Sequence, residues 1–191
     1  MSKVNSFNSK LTDIMKYIKN IFWVLLAFVT VSCGIDEYKV DHNAIFPMGG
    51  MYRIISCTDE AGAEVAGSIT SSERYVYVAN TIDNDSDKCW VRIGNYSTAA
   101  TKFYGINGKV SCNVSNKQNM TFSGSGVENL AGNVASSSNT FSVEGVVVEQ
   151  GVKCPSGEIT ESITMTFTNS NFPGKTYKVT GWKYTGWPED L

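Results

Sequence analysis

The chain has 191 residues, 16 Lys+Arg against 18 Asp+Glu, one His and five Cys, with 12% aromatic residues. That length suits one modest globular domain with some non-globular sequence attached, and a net charge of −2 speaks against nucleic acid as a partner. The single histidine, His42, lies near the start, which leaves no partner for histidine-based catalysis or a multi-histidine metal site within the domain. No cofactor or metal is expected.

In chain order, a polar lead containing Lys16 and Lys19 gives way to an apolar run of eleven residues from Ile21 to Val31. A bilayer-crossing helix needs about 20 apolar residues, so residues 1–32 read as a secretion signal. Met15 makes a conventional start for such a signal. Thr30-Val31-Ser32-Cys33 resembles a bacterial lipobox, in which a small residue precedes the cysteine that receives the lipid; Thr30 stands where the pattern has Leu. The resemblance implies a lipidated Cys33 that ties the mature protein to a membrane, with residues 33–48 as a tether and residues 49–191 as the folded domain. Asp36 and Glu37 resemble the acidic export signal of Bacteroides-like lipoproteins. The expected location is the outer membrane, on its periplasmic side or at the cell surface.

Loss of residues 1–32 removes four bases (Lys3, Lys10, Lys16, Lys19) and one acid (Asp13), leaving 12 bases against 17 acids and a net charge of −5. The mature part therefore carries no basic cluster for a phosphate backbone. With Cys33 lipidated, Cys57, Cys89, Cys112 and Cys154 remain as possible disulfide cysteines, since thiols outside the cytoplasm can stay oxidised. Buried free thiols are the alternative, and Cys112, between Val110 and Val114, has the pattern of a core residue.

From Gly50 onward short alternating runs are separated by Gly, Asn, Asp and Ser clusters, with no long segment of helical period. The domain is all-β. Strands are expected over residues 51–57, 74–80, 89–96, 103–114, 120–125, 140–150, 158–168 and 177–184. In the seventh, Ile159, Glu161, Ile163, Met165 and Phe167 alternate with Thr160, Ser162, Thr164, Thr166 and Thr168, the pattern of a strand wet on one side. Short turns at residues 83–87, Asn107-Gly108 and Pro173-Gly174 favour sequential antiparallel hairpins. An up-and-down sheet of about eight strands removes its edges by closing into a barrel, whose interior can hold one small ligand. A β-sandwich is the rival architecture.

Asp83, Asp85 and Asp87 alternate as calcium-loop acids do, but Lys88 stands where an EF-hand needs Gly, so an acidic hairpin turn is expected. Glu161 shares its face with apolar neighbours, and a carboxylate carried inward must be paired, protonated or used; Arg53 and Arg92 are candidate partners. Tyr75, Tyr77, Trp90, Phe103, Tyr104, Trp182, Tyr184 and Trp187 could line a cavity for an apolar or sugar-like ligand, or fill the core. The candidate ligand contacts are Tyr75, Trp90, Arg92, Glu161 and Trp182, and no catalytic residue is assigned. A carboxylate pair of Glu161 with Glu144 or Glu149 would be needed for glycoside hydrolysis.

Phe46-Pro-Met-Gly-Gly-Met-Tyr52, the stretch from Asn80 to Trp90, Gly108-Lys-Val-Ser-Cys-Asn113, Thr160-Glu-Ser-Ile163 and the ending Val179-Thr-Gly-Trp-Lys-Tyr-Thr-Gly-Trp-Pro-Glu-Asp190 together resemble a family of Bacteroidetes lipoproteins, the lipid-binding putative hydrolases. The resemblance implies a calycin-like or lipocalin-like barrel, with Gly50-Met51-Tyr52 as a variant of the Gly-x-Trp opening of such barrels. The expected function is a lipid-anchored envelope protein that binds a small apolar or amphipathic, lipid-like molecule in the barrel. The alternatives are a hydrolase of lipid esters or glycans and a non-enzymatic accessory surface protein with a filled core.

Overall fold

The computed structural model describes Met15, residues 41–133 and residues 139–191. The expected signal segment, lipidation site Cys33 and acidic pair Asp36 and Glu37 lie outside the described residues. Among the described residues no helix is long and apolar enough to cross a membrane.

Eight strands follow one another as β1 (Gly50–Thr58), β2 (Tyr75–Asn80), β3 (Lys88–Ile93), β4 (Asn107–Asn113), β5 (Met120–Glu128), β6 (Thr140–Lys153), β7 (Ile159–Asn169) and β8 (Tyr177–Lys183). Each pairs with its sequence neighbours, and β1 pairs with β8, so the sheet closes into an antiparallel up-and-down barrel. Closure removes the open edges that a sandwich would have to protect by other means. The strand beginnings and ends fall within a few residues of those read from the sequence. The main difference is β4, which starts at Asn107 because residues 103–106 belong to the preceding loop.

Because paired residues share a face, the register lists the inner wall directly. Tyr52 lies opposite Val76, Val76 opposite Ile93, Val91 opposite Gly108, Phe122 opposite Gly145, Gly145 opposite Met165 and Met165 opposite Val179. Tyr52, Val76, Cys89, Val91, Ile93, Met120, Val147 and Val179 have no accessible surface, and Phe122, Ile163, Met165 and Phe167 have 1%. A side chain with no accessible surface borders no void that admits water, so these rows meet at the barrel axis as a packed core. The expectation of a hollow interior is corrected: eight strands enclose just enough space for the side chains to fill. Gly145 makes room for the Phe122 ring, with which a Cβ there would collide.

One end of the barrel is stoppered by the segment that enters it. Ile45 and Met48 are fully buried in the core cluster, and the compact unit begins at His42, ahead of the expected boundary at Gly49. The Tyr52 hydroxyl donates to the Met48 carbonyl at 2.6 Å, and Lys183 Nζ donates to the Pro47 carbonyl at 2.9 Å. Burial, assisted by the Glu161 charge, raises the Tyr52 phenol above its ordinary value, so this tyrosine stays a neutral donor at the closed end. At the C-terminus, Asp190 accepts bonds from the Ser156 amide and hydroxyl, both at 2.8 Å, and from the Thr185 hydroxyl at 2.5 Å. That latch ties the last residues to the β6–β7 turn.

Candidate functional site: an aromatic groove on the outer wall

Alternation places two rows of side chains on each strand, and on β2 and β3 both rows contain apolar residues. The small β-branched set Val76, Val78, Val91 and Ile93 faces the axis, leaving Tyr75, Tyr77, Trp90 and Arg92 on the outer wall. The expectation that Tyr75, Trp90, Arg92 and Trp182 line an internal cavity is therefore corrected, because the register puts all four in the outer rows. They stand outside, half-buried.

Two of them meet in a cavity of about 570 Å³ cut into the outer face of β2, β3 and β4. Its wall carries Tyr77, Ala79, Trp90 and Arg92; Asn80 at the end of β2, Tyr96 from the β3–β4 loop, Asn107 at the start of β4 and Leu130 after β5 complete it. The Arg92 guanidinium lies against two rings, 4.3 Å from the centre of Tyr77 and 3.7 Å from that of Tyr96, and its Nε donates to the Gly94 carbonyl at 3.1 Å. Lys109 stands 5.7 Å from the Trp90 ring. Such stacking holds a cation on an aromatic face with about 0.5–1 kcal/mol at exposed sites and more when water is excluded.

The loop that supplies Tyr96 is anchored from below. Gly94 takes φ +81° to turn the chain out of β3, and a Cβ there would strike the Thr98 hydroxyl. Thr98 donates to Glu73 Oε1 at 2.6 Å, while Lys102 Nζ and the Tyr104 hydroxyl both donate to Oε2 at 2.7 Å. Burial opposes the Glu73 charge, but the Lys102, Thr98 and Tyr104 bonds outweigh it and hold the carboxyl down at about 2. Asn169 and Asn129 complete the hold by donating to the Gly105 carbonyl at 3.3 and 2.8 Å. The groove rim is thus fixed by buried polar bonds.

The remaining predicted contacts sit elsewhere. Tyr75 packs under Arg53, whose Cζ is 5.2 Å from the ring centre, and meets the edge of Tyr184 at 6.2 Å. Trp182 donates its Nε1 to the Asp190 carbonyl at 3.3 Å and belongs to the C-terminal latch. Glu161 does occupy the inner row, as its alternation implied, but at the stoppered end. Its partner is Lys183 at 3.5 Å, not Arg53 or Arg92. Glu144 lies opposite Ser123 and Thr166 on the outer wall, and Glu149 pairs with Lys117. Glu161 and Glu144 therefore stand on opposite faces of the sheet and form no carboxylate pair. His42 stacks on Phe46, with ring centres 3.6 Å apart.

Cys57, Cys89, Cys112 and Cys154 are free thiols in the structure. Cys89 and Cys112 are neighbours on β3 and β4, with Cys89 opposite Val110 and the Cys112 amide donating to the Asp87 carbonyl. The acidic turn also behaves as expected: Thr81 donates to Asp85, and the Asp85 amide donates back to the Thr81 hydroxyl. Tyr96 and Asn107 escaped the sequence reading, because nothing in their spacing shows that a loop end and a strand start converge on Arg92.

Residues 37–188 match the family model described as lipid-binding putative hydrolase, a span that takes in all eight strands and the groove. The chain belongs to this family. No curated protein matches it. The outer-wall groove carries both an aromatic floor and a cation held against it.

Proposed function

We propose that this protein is a lipid-anchored envelope protein of the outer membrane that seats a small amphipathic, lipid-like molecule in its outer-wall groove. The observation that carries the reading is the groove itself: Trp90, Tyr77 and Leu130 offer apolar surface beside the stacked Arg92 in about 570 Å³, within the range of small-molecule sites. The family's description supports a lipid as ligand. The packed interior supports a seat on the wall rather than at the barrel axis. The anchor would be Cys33, with the acyl chains each contributing about 0.8 kcal/mol per buried methylene.

Native mass spectrometry and titration with fluorescent fatty acids test the binding. Retained lipid and a tenfold or greater loss of affinity in Trp90→Ala are expected; no retained lipid and no titration overturn the reading. Metabolic labelling with an alkyne fatty acid tests the anchor, with label expected on the protein and lost in Cys33→Ser.

A second reading is favoured by the filled core: an accessory surface protein that uses the same aromatic wall to contact a glycan or protein. Aromatic faces suit sugars as well as acyl chains. Glycan-array binding that depends on Trp90, with no response to fatty acids, would select it.

A further inference from the structure

The outer rows of β2, β3 and β4 contain Lys88, Arg92 and Lys109 and no Asp or Glu, although acids outnumber bases in the chain as a whole. The four ion pairs among the described residues all use lysines, Lys102, Lys117, Lys175 and Lys183, and none involves Arg92. Among the described residues Arg92 thus stands beside an aromatic floor with no carboxylate paired to it. Tyr77 and Tyr96 lie against its guanidinium, with ring centres 4.3 and 3.7 Å from Cζ, and the Gly94 carbonyl occupies Nε. The terminal N–H groups in the plane of the fork are what a ligand can reach, and that geometry matches the paired oxygens of a carboxylate or phosphate. Because the rings fix the fork before binding, little side-chain freedom is lost on capture.

We infer that the groove selects single-chain amphiphiles with an anionic headgroup, whose oxygens bind the edge of Arg92 while the chain lies over Trp90 and Leu130. Lys109, 5.7 Å from the Trp90 ring, adds a second cation on the same outer face. This inference rests on the groove being the ligand site and adds the charge of the ligand.

The test uses residues 42–191, which contain every strand, the whole packed core and the closing β1–β8 pair as one compact unit. Calorimetric titrations compare decyl phosphate, decanoate, decyl maltoside and decyltrimethylammonium, all below their micelle concentrations, with inorganic phosphate as the headgroup alone. The two anionic amphiphiles are expected to bind at least tenfold more tightly than the neutral and cationic ones. Arg92→Gln is expected to abolish that preference, and Arg92→Lys, which keeps charge but loses the fork, to retain part of it. Circular dichroism of each variant checks the fold. Equal binding of all four amphiphiles, or an anion preference unchanged in Arg92→Gln, overturns the inference and leaves the groove as a ligand site. Inorganic phosphate binding as tightly as decyl phosphate overturns it in favour of a free-anion site. If no amphiphile binds and Trp90→Ala changes nothing, the groove itself is not the site and both proposals fall.

Discussion

Thr98 donates its hydroxyl to Glu73 at 2.6 Å, and two residues earlier Tyr96 covers the guanidinium of Arg92. A buried carboxylate on one side of the loop therefore sets the position of a ring on the other. Glu73 lies ahead of β2, 25 residues from Thr98, so the rim of the groove depends on a contact that spans the β2–β3 hairpin.

Glu73 makes stability depend on acid pH. Its carboxyl is held at about 2 against an ordinary 4.5, so the ionised form favours the folded state. The stabilisation is fully present above pH 4.5 and is lost as pH falls toward 2; it amounts to at most about 3 kcal/mol. Urea denaturation between pH 2 and 6 should show this slope, and Glu73→Gln should flatten it.

Tyr96→Ala removes one of the two rings on Arg92 while leaving the core untouched. A loss of about 1 kcal/mol in ligand binding is expected, with a thermal midpoint close to that of the parent protein. A large drop in the midpoint would instead make Tyr96 part of the scaffold.

Gly145→Ala strikes the interior. The added methyl meets the Phe122 ring, which is held by neighbours on every side, and overpacking of this kind costs about 1–3 kcal/mol. The double variant Gly145→Ala with Phe122→Leu should recover part of the loss in chemical denaturation.

At the stoppered end, Glu161 and Lys183 form a pair with side chains 17% and 23% exposed. Lys183→Met leaves the carboxylate beside Tyr52 without its cation and also removes the bond to Pro47. A destabilisation of about 1–3 kcal/mol is expected, and Glu161→Gln in the same chain should restore part of it.

The thiols should react in order of access. Burial raises the Cys57 thiol to about 12, with the Glu64 and Asp59 charges adding to it, and raises Cys89 further still. The thiolate is the reactive form, so Cys112, which is partly exposed, should be the first of Cys57, Cys89 and Cys112 to label at pH 8. Cys57 and Cys89 should label only on unfolding.

Alternation along each strand and polar turns between strands were enough to establish eight hairpin-linked strands, their approximate limits and the inward side of Glu161. These are properties of residues close together in the chain, where a period of two and a turn-forming cluster speak for themselves. On β2 and β3, where Val76 and Val91 alternate with Tyr77 and Trp90, both faces are apolar. Only closure and register decided between them, turning the Val76 and Val91 rows toward an axis that Tyr52, Phe122 and Phe167 also fill. Closure and register also set the partners: Lys183 meets Glu161 through the β7–β8 pairing, and Tyr96 reaches Arg92 because Glu73 holds its loop. Such contacts join residues far apart in sequence, and their geometry is set by sheet curvature and bulges rather than by any local pattern.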